Sequence, residues 1–506
     1  MQKHSLIAVA VTLLATGCTL APHYERPAEP VTATFPTGGV YDQQPGAPGA
    51  HSANGQAAAD IGWRDFFVDQ RLQQLIEIAL KNNRDLRVSV LNMQASAAQY
   101  RIVRAGLFPT LDAAASESRQ RTPRDLLVSP VAPTISTTYS VGLNASWEID
   151  FFGRIQSLKD QALATYLGTT QARKAAEISL VSQVANQYLT LLELDDLLKV
   201  TQDTLTNAQE SYRITKLQFD NGTGSELDLR QAQTVVETAN ANLQAQARLR
   251  AQAVNALVLL IGEPLPDDLP SGLPLNDQNL LTDIPAGLPS DLLTRRPDIM
   301  EAEQNLLAAN ANIGAARAAF FPKVSLTGSF GTLSPTLGGL FKPGSAAWSF
   351  APSITLPIFE GGQNIANLNL ANIQKKEQIA TYEKAIQTAF REVADGLAAR
   401  GTYDQQIQAL ERNTSAEQRR LDLSNLRYKN GVDSYLAVLT AQTDLYSSQQ
   451  SLITARMQRL QNLVTLYQAL GGGWIEHTGD QPRPADAPVD YGAASAPVAA
   501  SAATAG

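Results

Sequence analysis

The sequence predicts a mainly α-helical chain that also contributes strands to a transmembrane β-barrel. Three observations lead to this prediction: the chain begins with an export signal, it repeats itself, and each repeat places two alternating segments between helical patterns. Each repeat is predicted to run helix–strand–strand–helix–helix. Aromatic residues make up 6% and charged residues 17% of the chain, which suits long polar helices better than a compact enzyme core.

Residues 1–17 have the features of a signal peptide. A short apolar run follows Lys3 and is too short to span a bilayer. Cys18, the only cysteine of the chain, comes directly after it, as in a bacterial lipobox, although Ala15 stands where lipoboxes usually have leucine. We expect Cys18 to carry N-palmitoyl and S-diacylglycerol groups, which hold a protein on a membrane without a spanning helix. The alternative is an ordinary signal peptide followed by an incidental cysteine.

Segments rich in proline, glycine and alanine divide the mature chain. We expect a lipidated linker over residues 18–60, a proline-rich linker over 263–289, and a disordered tail over 472–506. The two repeats then occupy residues 61–262 and 290–471.

The duplication is visible in short identical or similar motifs. Phe321-Pro322 repeats Phe108-Pro109, and Asp298-Ile299 repeats Asp85-Leu86 at the same offset; Asn430-Gly431 repeats Asn221-Gly222 at a slightly shorter one. Two ungapped blocks of such matches indicate a tandem duplication, with a length difference between the blocks.

Two strands are predicted in each repeat, after the Phe-Pro pair that ends the preceding helix. They span about 110–118 and 139–150 in the first repeat, and about 324–332 and 348–358 in the second. Apolar and small polar residues alternate over about ten positions in most of these segments, which is typical of a transmembrane β-strand. A soluble β-sandwich with one wet face would show the same alternation.

A long helical hairpin follows each strand pair, over about residues 154–260 and 363–468. The first helix of each hairpin has about 65 residues, which corresponds to roughly 100 Å. Gly222 and Gly431 mark the turns to the return helices, because glycine accepts the left-handed conformation that ends helices.

Four strands cannot close a barrel, and an open sheet edge in lipid leaves backbone groups unsatisfied. Two copies would give eight strands, whose interior side chains fill; three would give twelve, enough for an open lumen. The residues therefore predict a homotrimer with a 12-stranded β-barrel, continued by a periplasmic α-barrel of twelve helices.

The segment from Arg295 to Pro322 contains Arg-Arg-Pro-Asp-Ile, Ala-Asn-Ala, Ile-Gly and Ala-Arg-Ala-Ala-Phe-Phe-Pro motifs. With the Asp150–Arg154 and Asn430–Leu436 motifs, it closely resembles the TolC-like outer-membrane efflux family, in its NodT- or OprM-like lipoprotein branch. The resemblance covers about residues 18–472.

It implies an outer-membrane duct extending into the periplasm, in contact with outer-membrane lipid. Such a duct docks onto a periplasmic adaptor (membrane fusion) protein and an inner-membrane pump, usually of the resistance-nodulation-division type, and passes drugs and other toxic small molecules. The exit channel of a type I-like protein secretion system is the alternative.

The resemblance also implies an iris-like gate at the periplasmic tip. Leu436 matches a hydrophobic constriction, and Asp228 and Tyr428 match residues that hold neighbouring hairpins together. Relatives often have a ring of acidic residues where this chain has Ala437 and Thr440, so we expect a weaker electrostatic constriction. The alternative is that these are ordinary packing residues at helix ends.

Other functional classes lack support in the sequence. No metal-spaced Cys/His cluster, phosphate loop or catalytic constellation is present, so we expect no catalytic residue, no metal site and no cofactor apart from the lipid. The net charge of −8 disfavours nucleic acid as a partner. A single-chain porin would contain little helix.

Overall fold

The computed structural model describes residues 19–41, 56–126, 133–281, 285–287 and 289–480. The predicted signal peptide, Cys18 and residues 481–506 of the predicted tail lie outside the described residues. The elements in chain order are α1 (Trp63–Phe66), α2 (Gln70–Asn82), α3 (Arg84–Ala105), β1 (Thr110–Arg121), β2 (Ile135–Ile149), α4 (Arg154–Asp220), α5 (Glu226–Ile261), α6 (Leu292–Arg295), α7 (Pro297–Ala318), β3 (Lys323–Ser334), β4 (Ala346–Thr355), α8 (Gln363–Lys429) and α9 (Tyr435–Ala469), with short 3₁₀ turns between some of them.

The strands form one antiparallel sheet in the order β1–β2–β3–β4. Leu143 of β2 lies opposite Ala113 of β1 and Phe330 of β3, and Phe330 lies opposite Trp348 of β4. Within one chain, β1 and β4 therefore each present one edge that no described strand covers.

The strand limits differ slightly from those predicted. The β1–β2 ladder continues to the Arg121–Ile135 pair, so the hairpin extends beyond the segment in which apolar residues alternate. β4 ends at Thr355, before the predicted residue 358. Pro357 follows and has no N–H to donate to a ladder, which accounts for the earlier end.

The long helices end in the same way at both predicted turns. Gly222 and Gly431 have φ angles of 73° and 69°. The amide of Thr223 donates to the carbonyl of Gln218, and that of Val432 donates to the carbonyl of Arg427. This six-residue closure with a left-handed glycine is the Schellman motif. It directs the chain into α5 and α9, and the Ser225 hydroxyl caps α5 by accepting from the Leu227 amide.

The chain divides into two compact units. The long helices α4 and α8 each have residues in both units. One unit comprises Met1–Ala28, Asn92–Thr169 and Glu301–Glu383, and it contains the sheet. The other comprises Glu29–Leu91, Thr170–Met300 and Lys384–Gly506, and it contains both helix-hairpin turns.

The second unit has an aromatic core, and the first residues of the predicted tail lie next to it. The rings of Phe66 and Tyr467 stack with 4.1 Å between centroids, and the Tyr467 hydroxyl donates to the Ile61 carbonyl. Residues 472–480 pack beside this core: the Trp63 amide donates to the Ile475 carbonyl, and Arg64 pairs with Glu476 at 2.8 Å. The prediction of disorder from residue 472 is therefore wrong for 472–480, because backbone pairing and an ion pair hold this segment.

The proline-rich segment between the repeats is also fastened to the second unit. The buried carboxylate of Asp69 accepts hydrogen bonds from the Tyr188 hydroxyl, the Leu273 amide, the Gln278 side chain and the Arg71 amide, at 2.7–2.9 Å. Burial, and then the Asp69 charge, raise the pKa of Tyr188, so this hydroxyl stays protonated and donates. One carboxylate thus joins α2, α4 and the inter-repeat segment.

We expect Asp69→Ala to lower the free energy of unfolding by at least about 3 kcal/mol, because it leaves several buried donors without acceptors. Thermal unfolding followed by helical circular dichroism measures the change. Asp268→Ala is the matched control: its side chain is exposed in the same inter-repeat segment. A similar loss of stability in both variants would contradict the role given to Asp69.

Glu193 is a second buried acid, and its titration is expected to make the stability of the fold depend on pH. Burial raises the pKa of Glu193, although the Thr454 hydroxyl donates to it at 2.8 Å and lowers it in part. The folded state therefore retains the proton more strongly than the unfolded state, and stability falls as pH rises above the ordinary glutamate range. Glu193→Gln should raise the unfolding temperature by a few degrees at neutral pH and leave it unchanged at pH 4. An equal gain at both pH values would rule out titration of Glu193 as the cause.

Candidate functional site

One face of the sheet is apolar and exposed. Because the strands pair in register, odd positions of β2 share this face with even positions of β3 and β4. Trp348 is 77% and Ile354 72% exposed on it. Its large apolar members are Leu111, Val141, Leu143, Trp147, Ile149, Val324, Leu326, Phe330, Trp348, Phe350 and Ile354. An exposed apolar surface of this extent is typical of contact with lipid or with another protein.

Small hydroxyl side chains line the opposite face. Three serine pairs hydrogen-bond across neighbouring strands at 2.7 Å, and they are Ser116–Ser140, Ser325–Ser353 and Ser329–Ser349. These pairs satisfy one another within the strands while keeping the surface polar. The two faces of the sheet therefore suit an apolar and an aqueous medium.

A charged group occupies the hydroxyl-lined face where the strands meet the helices. The Glu148 carboxylate contacts Lys323 at 2.9 Å and Arg154 at 2.8 Å. Asp150, in the short link to α4, accepts from the amides of Arg154 and Gln156 at 2.7 Å and so caps the first turn of that helix. The strand-to-helix junction is thus held by side chains of the motif that follows β2.

The segment after Cys18 lies along α7. Arg26 forms two hydrogen bonds of 2.8 Å to Glu303, and Tyr24 donates to the same carboxylate. Nearer the N-terminus, the side chains of Asn310 and Arg317 donate to the carbonyls of Pro22 and Leu20. The hydroxyl of Thr19 lies 3.4 Å from that of Ser157, in the first turn of α4. The residue after the predicted lipidation site is therefore at the junction between strands and helices.

The two helix-hairpin turns meet in a group of residues that we call the tip cluster: Gln218, Asp228, Ala232, Tyr428, Tyr435, Val438 and Leu439. The rings of Tyr428 and Tyr435 are 5.2 Å apart, and Tyr435 is buried with Ala232, Val438 and Leu439. Burial, and then the Asp228 carboxylate, raise the pKa of Tyr428. The cluster joins the hairpins of the two repeats.

The structure gives Tyr428 a partner that the sequence did not indicate. Its hydroxyl donates to the side-chain oxygen of Gln218 at 3.1 Å, whereas Asp228 acts on it through its charge. Gln218 belongs to the last turn of α4, and its own carbonyl closes the Schellman motif there. The second turn has an ion pair between Arg427 and Asp433, at 2.5 Å. Neither the Tyr428–Gln218 hydrogen bond nor the Arg427–Asp433 ion pair could be predicted from the spacing of motifs, since equivalent positions of the two repeats hold different residues.

Leu436 and Thr440 lie beside the tip cluster, on the exposed side of α9. Leu436 is 56% exposed in the first turn of this helix, and the Thr440 hydroxyl donates back to the Leu436 carbonyl at 3.0 Å. More than half of the apolar Leu436 side chain is thus exposed within the described part of one chain. Thr440 turns its hydroxyl toward its own helix, which leaves little polarity beside Leu436.

Two properties concern the described residues as a whole. No helix among them is both long and apolar enough to cross a membrane. Within the same residues, no group of three or more histidine, cysteine, aspartate or glutamate side chains is arranged to hold a metal ion.

Comparison with known proteins identifies the relatives of this chain. The sequence profile of the family described as "Outer membrane efflux protein" matches residues 75–263 and 288–472. The toluene efflux pump outer membrane protein TtgC of Pseudomonas putida is 49% identical over 477 residues, which is 94% of this chain and 97% of the relative. The antibiotic efflux pump outer membrane protein ArpC of Pseudomonas putida has the same identity and coverage.

A solved structure agrees with these sequence matches. The open state of the MtrE outer membrane channel of Neisseria gonorrhoeae is 42% identical and has a TM-score of 0.80, with 92% of this chain and all of that chain covered. The resemblance to TolC-like outer-membrane channels inferred from the motifs is therefore confirmed.

Proposed function

Because this chain belongs to the outer membrane efflux protein family, we propose that it forms the outer-membrane exit duct of a tripartite efflux pump. Its close relatives are outer-membrane components of efflux pumps, a class of transporters rather than enzymes. The observation that carries the proposal is the sheet, which has an apolar exposed face, a hydroxyl-lined face and two edges that no described strand covers.

The sheet is suited to one element of a larger closed barrel. In lipid, the uncovered edges of β1 and β4 would leave backbone donors and acceptors without partners, so each edge needs a strand from another copy. Three copies supply twelve strands, with the serine pairs facing a lumen wide enough for water and the tryptophan-bearing face toward lipid. The long hairpins of the three copies would form a twelve-helix tube below this barrel.

The names of the relatives indicate the kind of cargo and partner. Toluene and antibiotics, the compounds in those names, are small organic molecules, and we propose this class as the cargo. A duct does not energise transport, so an inner-membrane pump, of the resistance-nodulation-division type, and a periplasmic adaptor protein complete the pathway. The lumen-facing serine and threonine side chains offer only weak, neutral hydrogen bonds, which suits passage of chemically diverse molecules.

The proposal includes a lipid anchor on Cys18. In support, Thr19 lies against the first turn of α4, the level at which a barrel strand would leave the membrane. Acyl chains on the preceding residue would then be within reach of the periplasmic leaflet of the outer membrane. The Arg26–Glu303 contact would hold the anchored segment against α7.

The proposal also includes a gate at the periplasmic end of the helices. The tip cluster joins the two hairpins of one chain through Tyr428, Gln218 and the buried ring of Tyr435. Leu436 is largely exposed beside it, and three copies would bring three such side chains around one axis. Opening would separate these side chains, and the hydrogen bond of Tyr428 is one contact that such a movement would strain.

The test is to express the full-length chain, purify it from outer membranes in detergent, and measure its oligomeric mass and single-channel conductance. We expect a trimer that forms ion-conducting pores in planar bilayers, and a deletion strain that becomes sensitive to solvents or antibiotics and is rescued by the gene. A monomer without conductance would refute the duct. A trimer whose loss abolished secretion of a protein, and left drug sensitivity unchanged, would favour the protein-secretion alternative.

A further inference from the structure

Charged residues on the apolar face of the sheet are confined to one place. Among the described strand residues on this face, the charged ones are Glu117, Arg119 and Arg121, all in β1. They lie at the β1–β2 hairpin end, away from the helices: Arg119 is opposite Thr137 and Arg121 opposite Ile135. Elsewhere the same face is apolar or carries small uncharged residues. Its two arginines therefore mark a boundary along the strands.

The apolar band that ends at this boundary has the height expected for the part of a barrel that lies in the hydrocarbon region of a membrane. On β2 the apolar face extends from Ile149 to Tyr139, which is about 34 Å along a strand. At a strand tilt of about 40°, this length gives an apolar band about 25 Å tall. Arg119 and Arg121 come two and four residue pairs beyond the Tyr139 row, and this places their guanidinium groups at headgroup level. This step rests on the proposed function, because only a closed barrel in a membrane gives the face a height.

The two arginines have the chemistry of an open anion site. Every residue of β1 is exposed, and neither Arg119 nor Arg121 makes an ion pair or a side-chain hydrogen bond within the described residues. Arg119 and Arg121 lie on the same face of one strand with their Cα atoms about 7 Å apart, and each guanidinium group can donate two hydrogen bonds to phosphate oxygens. Glu117, the nearest acid on this face, leaves the net charge of the three residues positive.

We propose that Arg119 and Arg121 bind the phosphate groups of a phosphorylated glycolipid of the outer leaflet, the lipid A part of lipopolysaccharide. The acyl chains would lie on the apolar face below, and the phosphates at the arginines. The proposed ligand is the lipid rather than free phosphate, because the arginines continue an apolar surface that a small anion would not use.

The test uses the purified, delipidated trimer in detergent. Binding of diphosphorylated lipid A, lipid A without phosphates and inorganic phosphate is measured by native mass spectrometry and by titration. We expect tight binding of the diphosphorylated lipid alone. Arg119→Ser with Arg121→Ser should weaken it by about tenfold or more, since two charge-assisted contacts are lost.

Two controls isolate the position of the charges. Arg248→Ser with Arg412→Ser removes two exposed arginines of the long hairpins, makes the same change in net charge, and should leave binding unchanged. The combined change Ser118→Arg, Arg119→Ser, Gln120→Arg and Arg121→Gln keeps the strand composition, moves both charges to the hydroxyl-lined face, and should lose binding like the double variant.

Several results would overturn the proposal. Equal binding of lipid A with and without its phosphates by the unmodified trimer would do so even if the variants did not assemble. Inorganic phosphate binding as tightly as the lipid would show a free-anion site instead, and unchanged lipid binding in the double variant would exclude the arginines. Each of these can occur in a conducting trimer, so the duct itself would stand; absence of a trimer would instead refute the proposed function.

Discussion

Replacing Leu436 with alanine is expected to raise the resting conductance of the reconstituted trimer severalfold and to make cells more permeable to large antibiotics. Leu436 is exposed in the first turn of α9, and the proposed trimer places three copies of it around one axis. Neither Ala437 nor Thr440 supplies a charge that could restrict the opening in its place. Truncation to alanine removes the apolar side chains that would close the path, without touching the buried ring of Tyr435.

The internal duplication offers a matched control for this experiment. Leu227 is the counterpart of Leu436 in the first repeat: it also stands in the first turn of the return helix, two residues after a serine, and is 65% exposed. Because the family resemblance assigns the constriction to Leu436 and not to Leu227, we expect Leu227→Ala to leave the resting conductance nearly unchanged. If both substitutions changed conductance equally, or neither did, a constriction formed by Leu436 would be untenable.

Replacing Cys18 with serine is expected to abolish incorporation of labelled palmitate completely. No other cysteine exists in the chain, so the loss cannot be hidden by a second acylated thiol. Assembly should persist, because Tyr24 and Arg26 hold the N-terminal segment on Glu303 independently of any lipid. The substitution should therefore remove the lipid without changing the oligomeric state, since the proposed barrel spans the outer membrane on its own.

Arg26→Ala serves as the control for the Cys18 experiment. It removes the contact with Glu303 while retaining the thiol, so the variant should still take up palmitate. Palmitate uptake by the Cys18→Ser variant, or its absence from the unmodified protein, would argue for an ordinary signal peptide followed by an incidental cysteine.

Much of the fold is encoded in local patterns. The alternation of Tyr139, Val141, Leu143, Ala145 and Trp147 with small polar residues specified which side chains share a face, since successive side chains of a strand point to opposite sides. Gly222 and Gly431 specified the helix-hairpin turns, because glycine enters the left-handed conformation with little strain. Because the chain is duplicated, the order of helices, strands and turns predicted for one repeat also applied in outline to the other.

Other features depended on contacts between residues far apart in the chain. Nothing in the spacing pairs Tyr428 with Gln218, Asp69 with Tyr188 and the inter-repeat segment, or residues 472–480 with the start of α1. The glycine-, alanine- and proline-rich composition of the tail, of which that last segment is the beginning, even suggested disorder. Its backbone amides and carbonyls nevertheless find partners once the helices have packed, because buried polar groups without partners are costly.

The sequence by itself thus determined the duplicated helix–strand–strand–helix–helix order, the two faces of the sheet and the positions of the hairpin turns. Only the tertiary structure decided which side chains join the repeats at the tip cluster, how the inter-repeat segment is fastened to Asp69, and where the residue after Cys18 lies. The physical reason is that periodicity and turn chemistry act between neighbours in the chain, whereas hydrogen-bond partners are selected by proximity after folding.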